Sequence, residues 1–216
     1  MSEHPILFSA PMVLAILDGS KTQTRRVIKP QPFGDYYRLC GPEWYEPAVE
    51  INGELSPGRE IFGVYSDDGV WGRKSPYAPG DRLWVRETFC EYPAVRAIYR
   101  ADYGKFTPIS DGIGGPWRPS IHMPRWASRI DLEVTAVRVE RVQEIGKDDA
   151  EAEGVGRISS VGMMQAFGWR DYGGGKGFFD PRKSFASLWD SINAKRGFGW
   201  AANPWVWVYE FRRVKP

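Results

Sequence analysis

Short segments with a clear hydrophobic period lie near both ends of the chain. Residues 6–8 (ILF) form an apolar run that predicts a first strand. Apolar positions at helical spacing follow over 12–17. Ser9 stands before them as a helix cap, Pro11 lies in the first turn, and Gly19 follows as a left-handed cap. The first twenty residues are therefore predicted to form a strand and then a helix.

Residues 22–28 are predicted to form the next strand. Because side chains alternate along a strand, Thr22, Thr24 and Arg26 are expected on one face and Gln23 and Arg25 on the other. The two faces should therefore meet different surroundings.

Other periodic segments follow at wide intervals. Strands are predicted over 82–88, 97–99, 129–142 and 205–214, and helices over 148–154 and 184–193. The segment 97–99 is expected to pair with 82–88, and the frame of 129–142 shifts near Val137, which indicates a bulge or bend. In the last strand the aromatic side chains of 205–211 should share one face.

Residues 29–79 lack a sustained period and are rich in proline, glycine and scattered aromatics. A structureless loop of that length is unusual in a compact domain, so short strands are predicted at 50–51 and 61–64. We interpret 29–79 and 154–180 as insertions in a single domain that spans 1–216. Repeated β-α-β alternation is absent. The order therefore predicts an α+β fold: a small mixed β-barrel flanked by short helices, with a long irregular insertion.

Composition narrows the function classes. The 216 residues are 42% hydrophobic and carry a net charge of +2, which allows a sizeable core and does not require a nucleic-acid partner. With two cysteines and two histidines, a disulfide framework or a metal cluster is not expected, so we predict no metal and no cofactor. No signal peptide or membrane-length apolar run is apparent, so a cytoplasmic location is expected. The oligomeric state stays open.

Lys21 and Thr24 form the first candidate for chemistry. A threonine hydroxyl is a weak nucleophile unless a nearby base activates it, and a lysine whose pKa is lowered by burial can serve. The alternative from the residues alone is an ordinary turn lysine and an ordinary strand threonine.

Four other side chains are candidates for binding or support. Arg26 could bind a phosphate or a carboxylate, or pair with a surface acid. Glu87 ends an apolar strand, where sites often lie, and its alternative is a salt bridge to an arginine. His122 could line a pocket or serve as a structural hydrogen-bonding group. Glu151 and Glu153, on the acidic helix, could orient a lysine or be solvated.

Four segments, taken in order, resemble the ASCH family. Residues 19–26 (GSKTQTRR) are similar to that family's G-x-K-T-x-T-x-R signature. Residues 79–85 (PGDRLWV) resemble its Gly-Asp turn before a strand, 149–154 (DAEAEG) its short acidic helix, and 205–211 (WVWVYEF) its last strand. The resemblance also extends to the longer ASCH proteins of phages and prophages. It does not cover 29–79 or 154–180.

The resemblance implies a PUA-like barrel and a hydrolase that needs no metal. Its best-defined enzymes are amidohydrolases that convert N4-acetylcytidine into cytidine and acetate. It places a threonine nucleophile at Thr24, a lysine base at Lys21 and a supporting glutamate at Glu153. Arg26 or a backbone N–H is expected to hold the oxyanion, and aromatic side chains such as Trp84 or Phe8 to stack on the pyrimidine.

Some family members are associated with RNA binding or RNA cleavage, so an RNA-binding module is the alternative to a small modified nucleoside as ligand. It would use an arginine-rich surface that consists of Arg25, Arg26, Arg118, Arg125 and Arg129. The near-neutral net charge favours the small substrate.

Overall fold

The computed structural model of the chain describes residues 2–32, 38–92, 96–103, 115–159 and 168–214. The chain divides into two compact units. Unit 1 consists of Met1–Thr22, Gly80–Thr135 and Phe211–Pro216, and unit 2 consists of Gln23–Pro79 and Ala136–Glu210.

The described residues form fourteen strands and four α-helices. The strands are β1 (Glu3–Leu7), β2 (Gln23–Val27), β3 (Leu39–Tyr45), β4 (Ala48–Ile51), β5 (Glu54–Pro57), β6 (Ile61–Ser66), β7 (Gly72–Lys74), β8 (Arg82–Arg86), β9 (Phe89–Tyr92), β10 (Arg96–Tyr99), β11 (Asp131–Arg141), β12 (Arg157–Ile158), β13 (Gly168–Trp169) and β14 (Trp205–Val214). The helices are α1 (Ala10–Leu17), α2 (Arg100–Tyr103), α3 (Lys147–Ala152) and α4 (Pro181–Asn193). Short 3₁₀ turns lie at Ser120–His122, Arg125–Ala127, Val142–Glu144, Ala194–Arg196 and Trp200–Ala202.

The largest sheet has the order β1-β8-β11-β14-β2. β1 and β8 are parallel, whereas β8 with β11 and β14 with β2 are antiparallel, so the sheet is mixed. The predicted α+β class is confirmed. Within the described ranges β1 and β2 are the outer strands of this sheet, and no closed barrel is found there.

Unit 1 begins with a strand and then a helix, in the order that the sequence predicts. β1 starts earlier than expected, at Glu3, and α1 ends before Gly19, whose φ of +83° is the left-handed conformation that glycine adopts without strain. A small apolar cluster of Phe89, Met123 and Ala127 packs farther along this unit. No helix in the described part of the chain is long and apolar enough to cross a membrane.

The predicted pairing of 97–99 with 82–88 is wrong. β10 pairs with β9 instead, in register Ala97↔Glu91 and Ile98↔Cys90. The physical reason is that β8 already has β1 on one edge and β11 on the other, so neither edge remains for a third strand.

In unit 2 the segment 29–79 is more ordered than its sequence indicates. The predicted strands at 50–51 and 61–64 are confirmed within β4 and β6. β3, β6 and β7 form one sheet, while β4 and β5 form a hairpin that turns at Asn52 and Gly53, both with positive φ. Of the second predicted insertion, 154–180, residues 160–167 lie outside the described residues.

The main core of unit 2 lies between helices and the outer half of the sheet. Its buried members come from the turn after β11, from α3 and α4, and from β14: Val142, Ile145, Ala150, Val155, Phe185, Trp189, Val206 and Val208. α4 begins earlier than predicted because Asp180 caps it by accepting a hydrogen bond from the Arg182 backbone N–H at 3.0 Å. This packing brings the acidic helix α3 into the same unit as β2.

Candidate functional site

β2 carries the second half of the signature segment and pairs with β14 along its whole length. The register places Thr24 opposite Tyr209 and Arg26 opposite Trp207. Directly opposed residues in an antiparallel pair share a face of the sheet, so these four side chains lie on one side. The prediction that Thr24 and Arg26 share one face of the strand is confirmed.

Buried aromatic side chains surround Thr24 on its face of the sheet, which we call the Thr24 face. Thr24 is 3% exposed, and the rings of Trp207 and Tyr209 are stacked with centroids 6.5 Å apart. The Tyr209 hydroxyl shares a 3.0 Å hydrogen bond with the Ser75 hydroxyl. The Tyr77 ring meets the Tyr209 ring edge-on at 4.9 Å. The end of segment 29–79 therefore packs on this face.

Arg26 is the cation of the Thr24 face and is partly buried. Burial lowers the pKa of its guanidinium, while the neighbouring groups of Tyr77, Glu153 and Tyr209 oppose that shift. Burial also raises the pKa of Tyr77, and Arg26 opposes this. Tyr77 therefore remains a protonated hydrogen-bond donor at neutral pH.

The opposite face of β2 carries a dense ion cluster around Arg25, which we call the Arg25 cluster. The Arg25 side chain is fully buried. It donates to the Glu140 carboxylate at 2.6 and 2.9 Å, to Asp149 at 3.0 Å and to Glu153 at 3.0 Å. Arg138 also donates to Glu140, at 3.1 Å, and to Asp149. Every carboxylate around Arg25 is therefore held by at least one guanidinium.

Glu153 connects the acidic helix to β2. It follows the last residue of α3, where its backbone N–H donates to the Asp149 carbonyl at 2.9 Å. The side chain is 4% exposed, accepts from Arg25 and also acts electrostatically on Arg26. Because β2 is an outer strand of the sheet, a carboxylate beside it can act on side chains of both faces. The solvated alternative for Glu153 is wrong.

Lys21 belongs to unit 1 and lies shortly after the end of α1. Its backbone N–H donates to the Ala15 carbonyl at 2.9 Å, and the residue is only 2% exposed. The ammonium lies 5.6 Å from the centroid of the Phe8 ring, which is itself buried and 6.2 Å from the Phe211 ring. Desolvating an ammonium is costly, so a buried lysine marks a site of special chemistry or of tight pairing.

Glu87, also in unit 1, forms a bidentate pair with Arg129, with N–O distances of 2.8 and 3.1 Å. Arg129 also binds Asp102 and lies 4.0 Å from the centroid of the Tyr99 ring. The structure thus shows the salt-bridge alternative for Glu87. The role of Glu87 in substrate binding stays a prediction.

The remaining candidates of unit 1 lie nearer the surface. Trp84 is half-buried, and the guanidinium groups of Arg86 and Arg125 lie 5.4 and 5.9 Å from its ring centroid. His122 is exposed in a 3₁₀ turn. The pocket-wall prediction for His122 and the stacking predictions for Trp84 and Phe8 stay predictions.

The arginines named for an RNA surface are engaged with acids or buried. Arg25 lies inside its cluster, Arg118 pairs with a glutamate at 2.8 Å, and Arg125 pairs with acids at 2.8 and 3.0 Å. Arg129 holds Glu87. Of the five arginines predicted to form an RNA surface, Arg25 is therefore buried, Arg26 is partly buried, and the other three are in ion pairs.

Three contributors to the site were not predicted from the sequence. Arg25 was expected on the face of the strand opposite Thr24, and it lies there, but its role as the centre of an ion cluster was not predicted. Ser75 and Tyr77 lie in a stretch without periodicity, so no local signal could place them beside β14. The alternation of 205–211 did carry a signal, because it put Trp207 and Tyr209 on one face.

Within the described residues, no group of three or more histidine, cysteine, aspartate or glutamate side chains is arranged to hold a metal ion. β2 carries the buried Thr24 hydroxyl and the Arg26 guanidinium, and the Glu153 carboxylate lies beside this strand. Comparisons with protein-family models, curated proteins and solved structures found no match to this chain.

Proposed function

We propose that this protein is an ASCH-type amidohydrolase with a PUA-like fold that removes the acyl group from N4-acylated cytidine or cytosine. One observation carries the proposal. Glu153, from a motif far downstream, is buried against the strand that carries Thr24 and accepts a 3.0 Å hydrogen bond from Arg25. The end of the acidic helix therefore lies beside the strand that carries Thr24, and this supports the proposal.

Burial of polar groups supports the same proposal. Lys21, Thr24 and Glu153 are 2%, 3% and 4% exposed. Buried ionisable and hydroxyl groups cost free energy unless they are paired, and they are concentrated at functional sites. The burial of these three residues, two from the signature segment and one from the acidic helix, favours a chemical role over solvated turns.

In the proposed reaction the Thr24 hydroxyl attacks the acyl carbonyl and Lys21 accepts its proton. Arg26 stabilises the negative charge that develops on the carbonyl oxygen. The C–N bond breaks, and Lys21 returns the proton to the departing 4-amino group. Water then hydrolyses the acyl-threonine ester to release the carboxylic acid. Glu153 stabilises the cationic form of the lysine.

The test is a panel of N4-acetylated cytosine, cytidine and deoxycytidine, assayed for release of the deacylated product. The wild-type protein should release it, and Lys21→Met, which preserves volume but removes the amine, should not. Lys147→Met, which removes an exposed lysine from α3, serves as the matched control and should retain the wild-type rate. No release from any panel member, or an unchanged rate in Lys21→Met, would refute the proposal.

RNA binding is the second candidate, favoured by one observation in unit 1. Arg96 lies 5.3 Å from the centroid of the Trp126 ring, and both residues are exposed. Exposed arginine and aromatic planes suit unstacked bases. Affinity for a single-stranded RNA oligomer that falls steeply between 50 and 200 mM salt, roughly as expected for several phosphate contacts, would support this candidate. Hydrolysis of a neutral nucleoside would respond little to salt.

A further inference from the structure

The end of segment 29–79 lies over the Thr24 face of the sheet. We propose that Tyr77 is a positioning residue that holds the Arg26 guanidinium on this face. The inference rests on the proposed function for its catalytic consequence, and it gives segment 29–79 a role in the site.

The first support is the way Ser75 fixes this stretch of chain. The Ser75 hydroxyl donates to the Tyr77 carbonyl at 2.6 Å and shares its 3.0 Å hydrogen bond with the Tyr209 hydroxyl. Ser75 is 3% exposed. One buried hydroxyl thus joins the backbone of Tyr77 to a side chain of β14.

The second support is the position of Tyr209. It is fully buried and lies directly opposite Thr24 in the β2–β14 register. The Tyr77 ring meets it edge-on, with centroids 4.9 Å apart and planes inclined by 66°. That is a favoured geometry for two aromatic rings, so the Tyr77 ring is held by contacts independent of its hydroxyl.

The third support concerns charge. Arg26 lies two residues from Thr24 on the same face, and Tyr77 is close enough for each group to act on the pKa of the other. A phenol fixed by Ser75 and Tyr209 is a rigid neighbour for a guanidinium. A guanidinium that is held in place loses less conformational freedom when it meets developing negative charge.

The experiment compares Tyr77→Phe with Tyr65→Phe. The first change removes the hydroxyl but preserves the ring and its contact with Tyr209. The second removes a phenol that donates to Glu43 at 2.6 Å on another sheet. Phenylglyoxal modification, followed by peptide mass spectrometry, reports the accessibility of Arg26. Arg25, which is fully buried, and Arg157, which is exposed, are internal references.

Tyr77→Phe should raise the rate of Arg26 modification severalfold, and Tyr65→Phe should not. In the acylcytidine assay, Tyr77→Phe should lower kcat about 10-fold with little change in KM, because the interaction strengthens only in the transition state. Ser75→Ala should act in the same direction. It serves as the second variant if Tyr77→Phe does not fold.

Unchanged Arg26 modification in a folded Tyr77→Phe, or in Ser75→Ala where that variant replaces it, would overturn the inference. Faster Arg26 modification without any hydrolysis by the wild-type protein would refute the proposed function alone. Hydrolysis that survives together with unchanged Arg26 modification would refute the role of Tyr77 alone.

Discussion

The two faces of β2 place adjacent arginines in opposite surroundings. Arg25 is fully buried among three carboxylates at 2.6 to 3.0 Å. Arg26 lies on the other face, where burial lowers the pKa of its guanidinium and Tyr77, Glu153 and Tyr209 oppose that shift. Arg25 is therefore the centre of an ion cluster, whereas phenol groups act on Arg26.

This difference predicts that one face of the strand serves stability and the other serves the proposed chemistry. Arg25 is the buried centre of an ion cluster, and removing it leaves three carboxylates without that cation. The Arg26 guanidinium lies on the face that carries the Thr24 hydroxyl, where the proposed reaction develops negative charge. We therefore expect substitutions on the Arg25 face to change folding and substitutions on the Thr24 face to change turnover.

The largest effect is expected from Thr24→Val, which replaces the hydroxyl by a methyl group of similar size. Loss of the nucleophile should lower kcat about 10⁴-fold or more, while the protein still folds. Thr22→Val, an identical change at an exposed position, should leave kcat unaltered. Initial rates of acylcytidine hydrolysis measure both. Equal rates for the two variants would show that the Thr24 hydroxyl is not the nucleophile.

Arg25→Met should destabilise the protein by about 3–5 kcal/mol, because it leaves three carboxylates without their central cation. Urea unfolding followed by circular dichroism measures this change. Arg157→Met breaks an exposed pair with Glu151 and should cost less than about 1 kcal/mol. A cost for Arg25→Met no larger than for Arg157→Met would show that the cluster contributes little.

Arg26→Lys retains the charge but loses the planar fork. We expect kcat to fall about 10²-fold, as for removal of one donor to an oxyanion, with a much smaller change in the free energy of unfolding than for Arg25→Met. Steady-state kinetics and urea unfolding of the same preparation test this. A loss of stability without a loss of kcat would make Arg26 a structural residue.

The smallest effect concerns acid stability. Burial opposes ionisation of Asp149, but Arg138 and Arg25 lower its pKa below the ordinary 3.8. Its folded pKa is depressed, so its contribution to stability is present above 3.8 and is lost as the pH falls through the folded value. Unfolding free energy measured from about pH 5 downward should therefore fall less steeply in Asp149→Asn than in the wild type. Asp67→Asn, at an exposed aspartate, should retain the wild-type slope.

Local patterns predicted the elements that form each face, because strand alternation and helix period are set by neighbours in the chain. β2, α3, α4 and β14 lie close to their expected bounds for this reason. Local patterns did not predict the partner of β10, because that partner depends on which strand edges are already occupied. They also predicted few of the strands in segment 29–79, since those strands are stabilised by pairing rather than by a strong pattern of their own.

The sequence by itself determined that Thr24 and Arg26 would share a face, that Arg25 would lie on the other, and that a short acidic helix would form close to 148–154. Only the tertiary structure decided which groups meet them. Arg25 and Glu153 are separated by 128 positions, and Ser75 and Tyr209 by 134. Periodicity gives the direction of a side chain from its own strand, whereas its partner depends on how distant segments pack. The structure therefore decided that Arg25 is neutralised while Arg26, one residue away, lies beside Tyr77.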